Sequence, residues 1–150
     1  MTIRPRLGYL AHPFGGDFAK LAEASVWVAV LNHELNRRGV LIVVWAPWIP
    51  LCRHWPDNGE SRALGLGIDL AAVVASDFLY LTGGRHLTNR EIAGGMALEL
   101  ATAKEHRKHV VDLLDLAWPT DFPLSPQNPL DEKLDQWLVA LTELREAQAR

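Results

Sequence analysis

Across residues 93–103 (Ala-Gly-Gly-Met-Ala-Leu-Glu-Leu-Ala-Thr-Ala) a single ionisable side chain, Glu99, stands among small and apolar neighbours. On a helix its face would also carry Ile92, Gly95, Met96, Ala103 and His106, so the carboxylate is at least partly desolvated and needs a partner or a chemical task. Gly94 and Gly95 would let a ligand such as a sugar lie close against the backbone at the start of that helix. A carboxylate beneath a sugar ring can stabilise positive charge on that ring or bond to it, as in retaining glycosidases. The competing reading has Glu99 facing solvent on a surface helix. Asp69 reads equally as a helix-surface charge, and Tyr9 as a core aromatic. Histidines 12, 33, 54, 86, 106 and 109 show no metal-ligand spacing beyond His106 and His109, which lack a third ligand, so no metal and no cofactor is expected. Thr82-Gly83-Gly84-Arg85 is too short for a dinucleotide fingerprint or a P-loop and reads as a turn able to line a site. Cys52 has no catalytic context and reads as a buried thiol.

These side chains need a scaffold, and hydrophobic patterning supplies one. Leu7 to Ala11 is an apolar run ended by Pro13 and two glycines, a first strand entering a loop. Asp17 can cap a helix in which Phe18, Leu21, Ala22, Val26, Ala29, Val30, His33 and Leu35 approximate helical spacing up to Arg37-Arg38-Gly39. Val40 to Trp45 is continuously apolar and β-branched, as in a parallel strand covered on both faces. From Ala46 to Gly59 the prolines exclude regular helix, which predicts a long loop. Ser61 to Ser76 returns to helical periodicity, with Leu64, Ile68, Ala71, Ala72 and Ala75 able to share an inward stripe. Asp77 to Thr82 is a third strand, a helix runs from about Arg90 to Glu105, and His109 to Leu113 is a fourth strand. A loop with Pro119, Pro123, Pro126 and Pro129 precedes an amphipathic helix from Asp131 to about Ala147, whose stripe includes Leu134, Trp137, Leu138, Leu141 and Leu144.

Strand and helix alternate throughout. The expected fold is therefore α/β, a single domain over 1–150, with a doubly wound parallel sheet of four or five strands in a flavodoxin-like or Rossmann-like three-layer sandwich. Ligands bind such sheets at the carboxyl ends of the strands, here the loops at His12 to Asp17, Pro47 to Gly59 and Gly83 to Asn89.

Composition bounds the function classes. The 150 residues include 49% hydrophobic and 22% charged side chains, typical of one soluble globular domain. Fifteen basic against eighteen acidic residues give a net charge of -3, which leaves no surplus of positive charge for a phosphate backbone, so no nucleic-acid partner is expected. The richest apolar stretch, Val40 to Leu51, is broken by Pro47 and Pro50, and no membrane span is expected. One cysteine and no visible export signal suit a reducing compartment, the cytoplasm.

Three stretches in order, Tyr9-Leu10-Ala11-His12-Pro13-Phe14-Gly15-Gly16, Asp69 within Ile68 to Asp77, and Gly95-Met96-Ala97-Leu98-Glu99, resemble the nucleoside 2-deoxyribosyltransferase superfamily, which includes the 2'-deoxynucleoside 5'-phosphate N-hydrolases. The likeness covers about the first three quarters of the chain. It implies that Glu99 is the nucleophile that attacks the anomeric carbon and forms a glycosyl-enzyme, that Tyr9 positions this carboxylate, and that Asp69 contacts the sugar hydroxyls. It also implies a small-molecule nucleoside or nucleotide partner and a homo-oligomer, dimer or higher, that completes its site from a neighbouring subunit near Trp118 to Asn128. Binding would further draw on His12, Phe14, Gly15, Gly16, Trp48, Gly95 and Met96. Phe14 would offer a flat face for the base, and Trp48 and Trp55 a lid or second wall, or else packing against a partner subunit. Two departures stand out. Six residues before the glutamate the transferases tend to carry aspartate and the hydrolases serine, whereas this chain has Ala93. His12-Pro13-Phe14 replaces the glycine-serine-isoleucine-arginine stretch that holds the 5'-phosphate in the hydrolases. Arg85, Arg90 or His12 then read either as substitute anion contacts or as ordinary surface residues. The alternative to an enzyme is a non-catalytic nucleotide-binding or sensing module that uses the same residues.

Overall fold

The computed structural model describes residues 6–117 and 127–149, with side chains for all of these except 90 and 143–149. Four parallel strands, β1 (Arg6–Ala11), β2 (Ile42–Trp45), β3 (Phe78–Leu81) and β4 (His109–Asp112), form one sheet in the order β2-β1-β3-β4. Five α-helices join and cover them: α1 (Phe18–Arg37), α2 (Trp48–His54), α3 (Gly59–Ala75), α4 (Gly94–Glu105) and α5 (Pro129–Ala149). The chain steps from β1 outward to β2, then returns across β1 to β3, so the strand order reverses between β1 and β3. At that reversal the loops leaving the two carboxyl ends diverge and open a crevice.

Register divides the side chains between two layers. Tyr9 pairs with Leu79 and Leu10 with Tyr80. The rings of Phe78 and Tyr80 meet Trp137 of α5, and Arg38 of α1 reaches Asp131 and Asp135 of α5, so α1 and α5 share one face. Gly8 makes room there, since a Cβ at that position would come within 2.3 Å of the Tyr80 ring. Tyr9 and Leu79 point to the opposite layer, built by α3 and α4. The edge strand β2 is tied to α1 by Asn32, which accepts from the Val44 amide at 2.9 Å and donates to the Val44 carbonyl at 2.8 Å. Trp27, Leu31, Leu35, Ile42, Leu79 and Tyr80 lie in the buried core.

Four expectations change. Residues 46–59 are not one long loop: α2 occupies 48–54, because Pro47 is its N-cap and Pro50 falls in the first turn, where a backbone N–H has no helical acceptor to lose. The inward stripe of α3 is not the one with Leu64, Ile68, Ala71 and Ala75, all of which are exposed; Asp69, Ala72 and Val73 face in. On α1, Phe18, Ala22, Ala29 and His33 face out, while Glu23, Trp27 and Glu34 turn inward because each finds polar or packing partners there. The α4 helix starts at Gly94 rather than near Arg90, after 3-10 turns at Gly84–His86 and Thr88–Arg90, with left-handed Asn89 (φ 53°) breaking the helical path. The expected contact segment at Trp118 to Asn128 falls largely on 118–126, outside the described residues.

Candidate active site

Three acidic side chains come from three elements that the sheet reversal brings together. Tyr9 is the fourth residue of β1, buried and pointing into the α3/α4 layer. Asp69 lies one turn before Ala72 and Val73 on the inward face of α3. Glu99 shares the buried face of α4 with Met96 and Ala103, at i−3 and i+4. Helical spacing thus places a carboxyl on the inner side of each helix, and the strand's alternation sends the phenol between them.

The three groups feel one another and little counter-charge. Burial pushes Glu99 up to about 8; the Tyr9 hydroxyl opposes that shift, and the charge of Asp69 adds to it. Asp69 is raised by burial to about 7. The Tyr9 phenol is raised well above its ordinary range by burial first and then by Glu99 and Asp69, so it stays protonated and can only donate to them. Its hydroxyl faces Glu99 without closing a well-formed hydrogen bond. The Tyr9 Oη and Asp69 Oδ1 atoms are both buried without a partner. Buried polar atoms of this kind are rare in a finished core and common where a ligand completes the pairing.

Sequence reasoning missed one neighbour. Cys52, half-buried on α2, has a thiol raised by burial and by the charges of Asp69 and Glu99, which places it electrostatically beside the acid group. The signal was hidden because residues 46–59 read as loop, whereas α2 turns this side chain inward. The thiol is neutral and offers a small polarisable wall.

The expected binding residues lie on the loop after β1, on α2 and at the start of α4. Gly15 and Gly16 are exposed, with φ of 56° and 82° that favour glycine in the loop after β1. Phe14 is half-buried, with its ring 6.0 Å from Phe18 and 6.4 Å from Trp48. Trp48 is buried and donates from Nε1 to the Leu10 carbonyl at 2.9 Å, so it braces β1 from the α2 side, while Trp55 is exposed. Met96 is buried beside Glu99 in sequence and face; Gly95 is exposed, and a Cβ there would meet nothing within 4 Å. Ala93 is the N-cap of α4 and supplies no side-chain cap. Gly94 enters the helix with φ 59°, a conformation suited to glycine.

His12 takes a different direction. Its side chain is fully buried and faces Glu23 of α1, away from the acid group, with Nε2 2.9 Å from Glu23 Oε2. Glu23 also receives Arg85 on its other oxygen, and His86 Nε2 lies 2.5 Å from Oε2. Burial lowers the pKa of His12 and favours its neutral ring. Among the described residues no helix is long and apolar enough to cross a membrane.

No protein-family model and no curated protein matches the chain. Among solved structures it is similar in fold to a 2-deoxyribosyltransferase from the psychrotolerant bacterium Bacillus psychrosaccharolyticus, at a TM-score of 0.50 and 21% identity, over 71% of this chain and 70% of that one. At that identity the likeness is one of fold: an α/β architecture around a parallel sheet.

Proposed function

We propose that the chain belongs to the nucleoside 2-deoxyribosyltransferase superfamily and cleaves or transfers at the N-glycosidic bond of a (deoxy)nucleoside or nucleoside 5'-monophosphate. The observation that carries this reading is the convergence of Glu99, Asp69 and Tyr9 in one buried group with two oxygens left unpaired. The sequence likeness and the shared fold support it. Glu99, as carboxylate, forms a bond to the anomeric carbon while the bond to the base nitrogen breaks and its electron pair leaves with the base, which takes up a proton. Tyr9 donates toward Glu99 and holds the carboxylate in line. Asp69 Oδ1 accepts from a sugar hydroxyl. In the second half a new base nitrogen or a water attacks the same carbon and the Glu99 ester is released; transfer and hydrolysis differ only in that acceptor. An outward stripe of Leu64, Ile68, Ala71 and Ala75 on α3 is the surface a second copy would cover in the homo-oligomer this reading entails.

A panel of deoxynucleosides, ribonucleosides and their monophosphates, followed by chromatography for free or exchanged base, tests the proposal. Base release that disappears in Glu99→Ala supports it; ligand-induced thermal shifts without base release in the wild type overturn it in favour of a nucleotide-sensing module. That second reading draws on Ala93, which caps α4 with no side-chain group at a position where the resembling enzymes tend to carry aspartate or serine.

A further inference from the structure

On the other face of the sheet the reaction proposed above leaves a polar cluster unused. His12 follows β1, Glu23 lies on α1 and His86 sits in the turn after β3, and one ligand atom from each lies within 4.8 Å of the others. His12 and Glu23 are buried and His86 is half-buried. The His12 Nδ1 atom is 2.8 Å from the Pro13 carbonyl. A carbonyl only accepts, so Nδ1 carries the proton, and in the neutral ring Nε2 bears a lone pair. That lone pair stands 2.9 Å from the carboxylate Oε2, yet Nε2 makes no hydrogen bond, because the ring is aimed past the oxygen rather than at it. His86 Nε2, 2.5 Å from the same Oε2, is directed at that oxygen and, since a carboxylate only accepts, donates to it.

The His12 Nε2 lone pair is thus buried beside a carboxylate oxygen with nothing to pair it, a repulsion that a cation between them relieves, and such a cation would displace the proton on His86 Nε2. The close approach of His12 Nε2 and Glu23 Oε2 without a hydrogen bond is the geometry of neighbours around a third atom. We propose that His12 Nε2, Glu23 and His86 Nε2 form a binding site for a divalent transition-metal ion of the zinc type, with a fourth position open. Two imidazoles and one carboxylate suit zinc or a similar borderline ion better than magnesium or calcium, which prefer all-oxygen shells. Bonds of about 2.0–2.2 Å at tetrahedral angles hold ligand atoms farther apart than 2.5 and 2.9 Å, so His86 and Glu23 open outward slightly when the ion enters. The outer shell is in place: the Pro13 carbonyl orients His12, and Arg85 holds the second oxygen of Glu23. Gly83 is shaped around the site, since its φ of 77° favours glycine and a Cβ there would lie 2.7 Å from His12 Nε2. An ion at this point ties the β1 loop, α1 and the β3 loop together beside the sheet reversal.

The test is calorimetric titration of chelator-treated protein with zinc, then with magnesium, together with thermal unfolding. One equivalent of zinc should bind and raise the melting temperature, magnesium should do neither, and cobalt(II) should give the visible absorption of a four-coordinate site. His86→Gln, on the half-buried ligand, should abolish the shift and weaken zinc binding at least 100-fold while the protein stays folded; His12→Gln should do the same. His33→Gln and His54→Gln, outside the cluster, should keep one equivalent. Failure of folded, metal-free wild type to bind zinc overturns the proposal, as does binding that survives unchanged in both His86→Gln and His12→Gln. Because none of these readouts measures base release, the outcome is independent of the reaction proposed above.

Discussion

Replacing Glu99 by glutamine keeps the side chain's shape and removes its titration. In the unfolded chain this carboxyl titrates near 4.5, and in the fold near 8, chiefly because burial penalises its charge. Between those values the native state holds a proton that the unfolded state has released. The stability contributed by this group is therefore complete below about pH 4.5 and is lost progressively as the pH rises to about 8. Integrating the difference in bound protons from about pH 5 to about pH 9 gives a loss of about 4 kcal/mol, a large share of the roughly 5–15 kcal/mol that holds a domain folded. Asp69, also raised, is present in both proteins and cancels in the comparison. Urea denaturation followed by tryptophan fluorescence at several pH values measures the effect. The wild type should lose stability relative to Glu99→Gln by about 4 kcal/mol between those limits, with the variant favoured at the alkaline end. Parallel stability curves for the two proteins would mean that the carboxyl titrates as a solvated group, and the desolvation argument for the whole site would fail.

Three further outcomes follow from the same geometry. Tyr9→Phe removes the hydroxyl that opposes the upward shift of Glu99; base release should drop about 10-fold and the rising limb of the kcat/KM profile should move to higher pH, which steady-state kinetics across pH will show. Arg38→Ala leaves the buried Glu34 paired with Arg37 but without its 2.8 Å partner and cuts the links to Asp131 and Asp135, so the urea midpoint should fall by the equivalent of about 1–2 kcal/mol. Gly8→Ala drives a methyl into the Tyr80 ring and should lower the melting temperature by the equivalent of about 1–3 kcal/mol, with partial recovery in the Gly8→Ala, Tyr80→Leu double variant.

Strand positions were legible because parallel strands are written as short apolar, β-branched runs; β3 is buried on both faces as that pattern implies, whereas the edge strand β2, expected to be covered on both, leaves Val43 exposed. Val40 to Trp45 and Asp77 to Thr82 are apolar runs that a helix of ordinary amphipathicity does not produce, and both strands fall within them. Helix faces were harder. On α3 a composition-based stripe selects Leu64 and Ile68, but the structure turns Ala72 and Val73 inward, which carries Asp69, one turn earlier, to the same side. The α2 helix escaped notice for a related reason: a proline is read as a breaker, yet at Pro47 and Pro50 it occupies positions where the helix has no hydrogen bond to break.

Site chemistry divides the same way. Glu99 could be singled out as one charge among small residues because its isolation is local, visible within a few turns of a single helix. Its pairing with Tyr9 and Asp69 is not local, and the ordered likeness to a family, rather than any spacing, raised it. The cluster of His12, Glu23 and His86 shows what remains when neither aid exists: three ligands from a strand end, a helix and a turn have no common period in the sequence. What distinguishes it is that a carboxylate lies 3% exposed with two ring nitrogens directed into the space beside it. A buried ring nitrogen left unpaired beside a carboxylate is a property of the folded arrangement, so it can be read only once the sheet has brought the loops after β1 and β3 against the first helix.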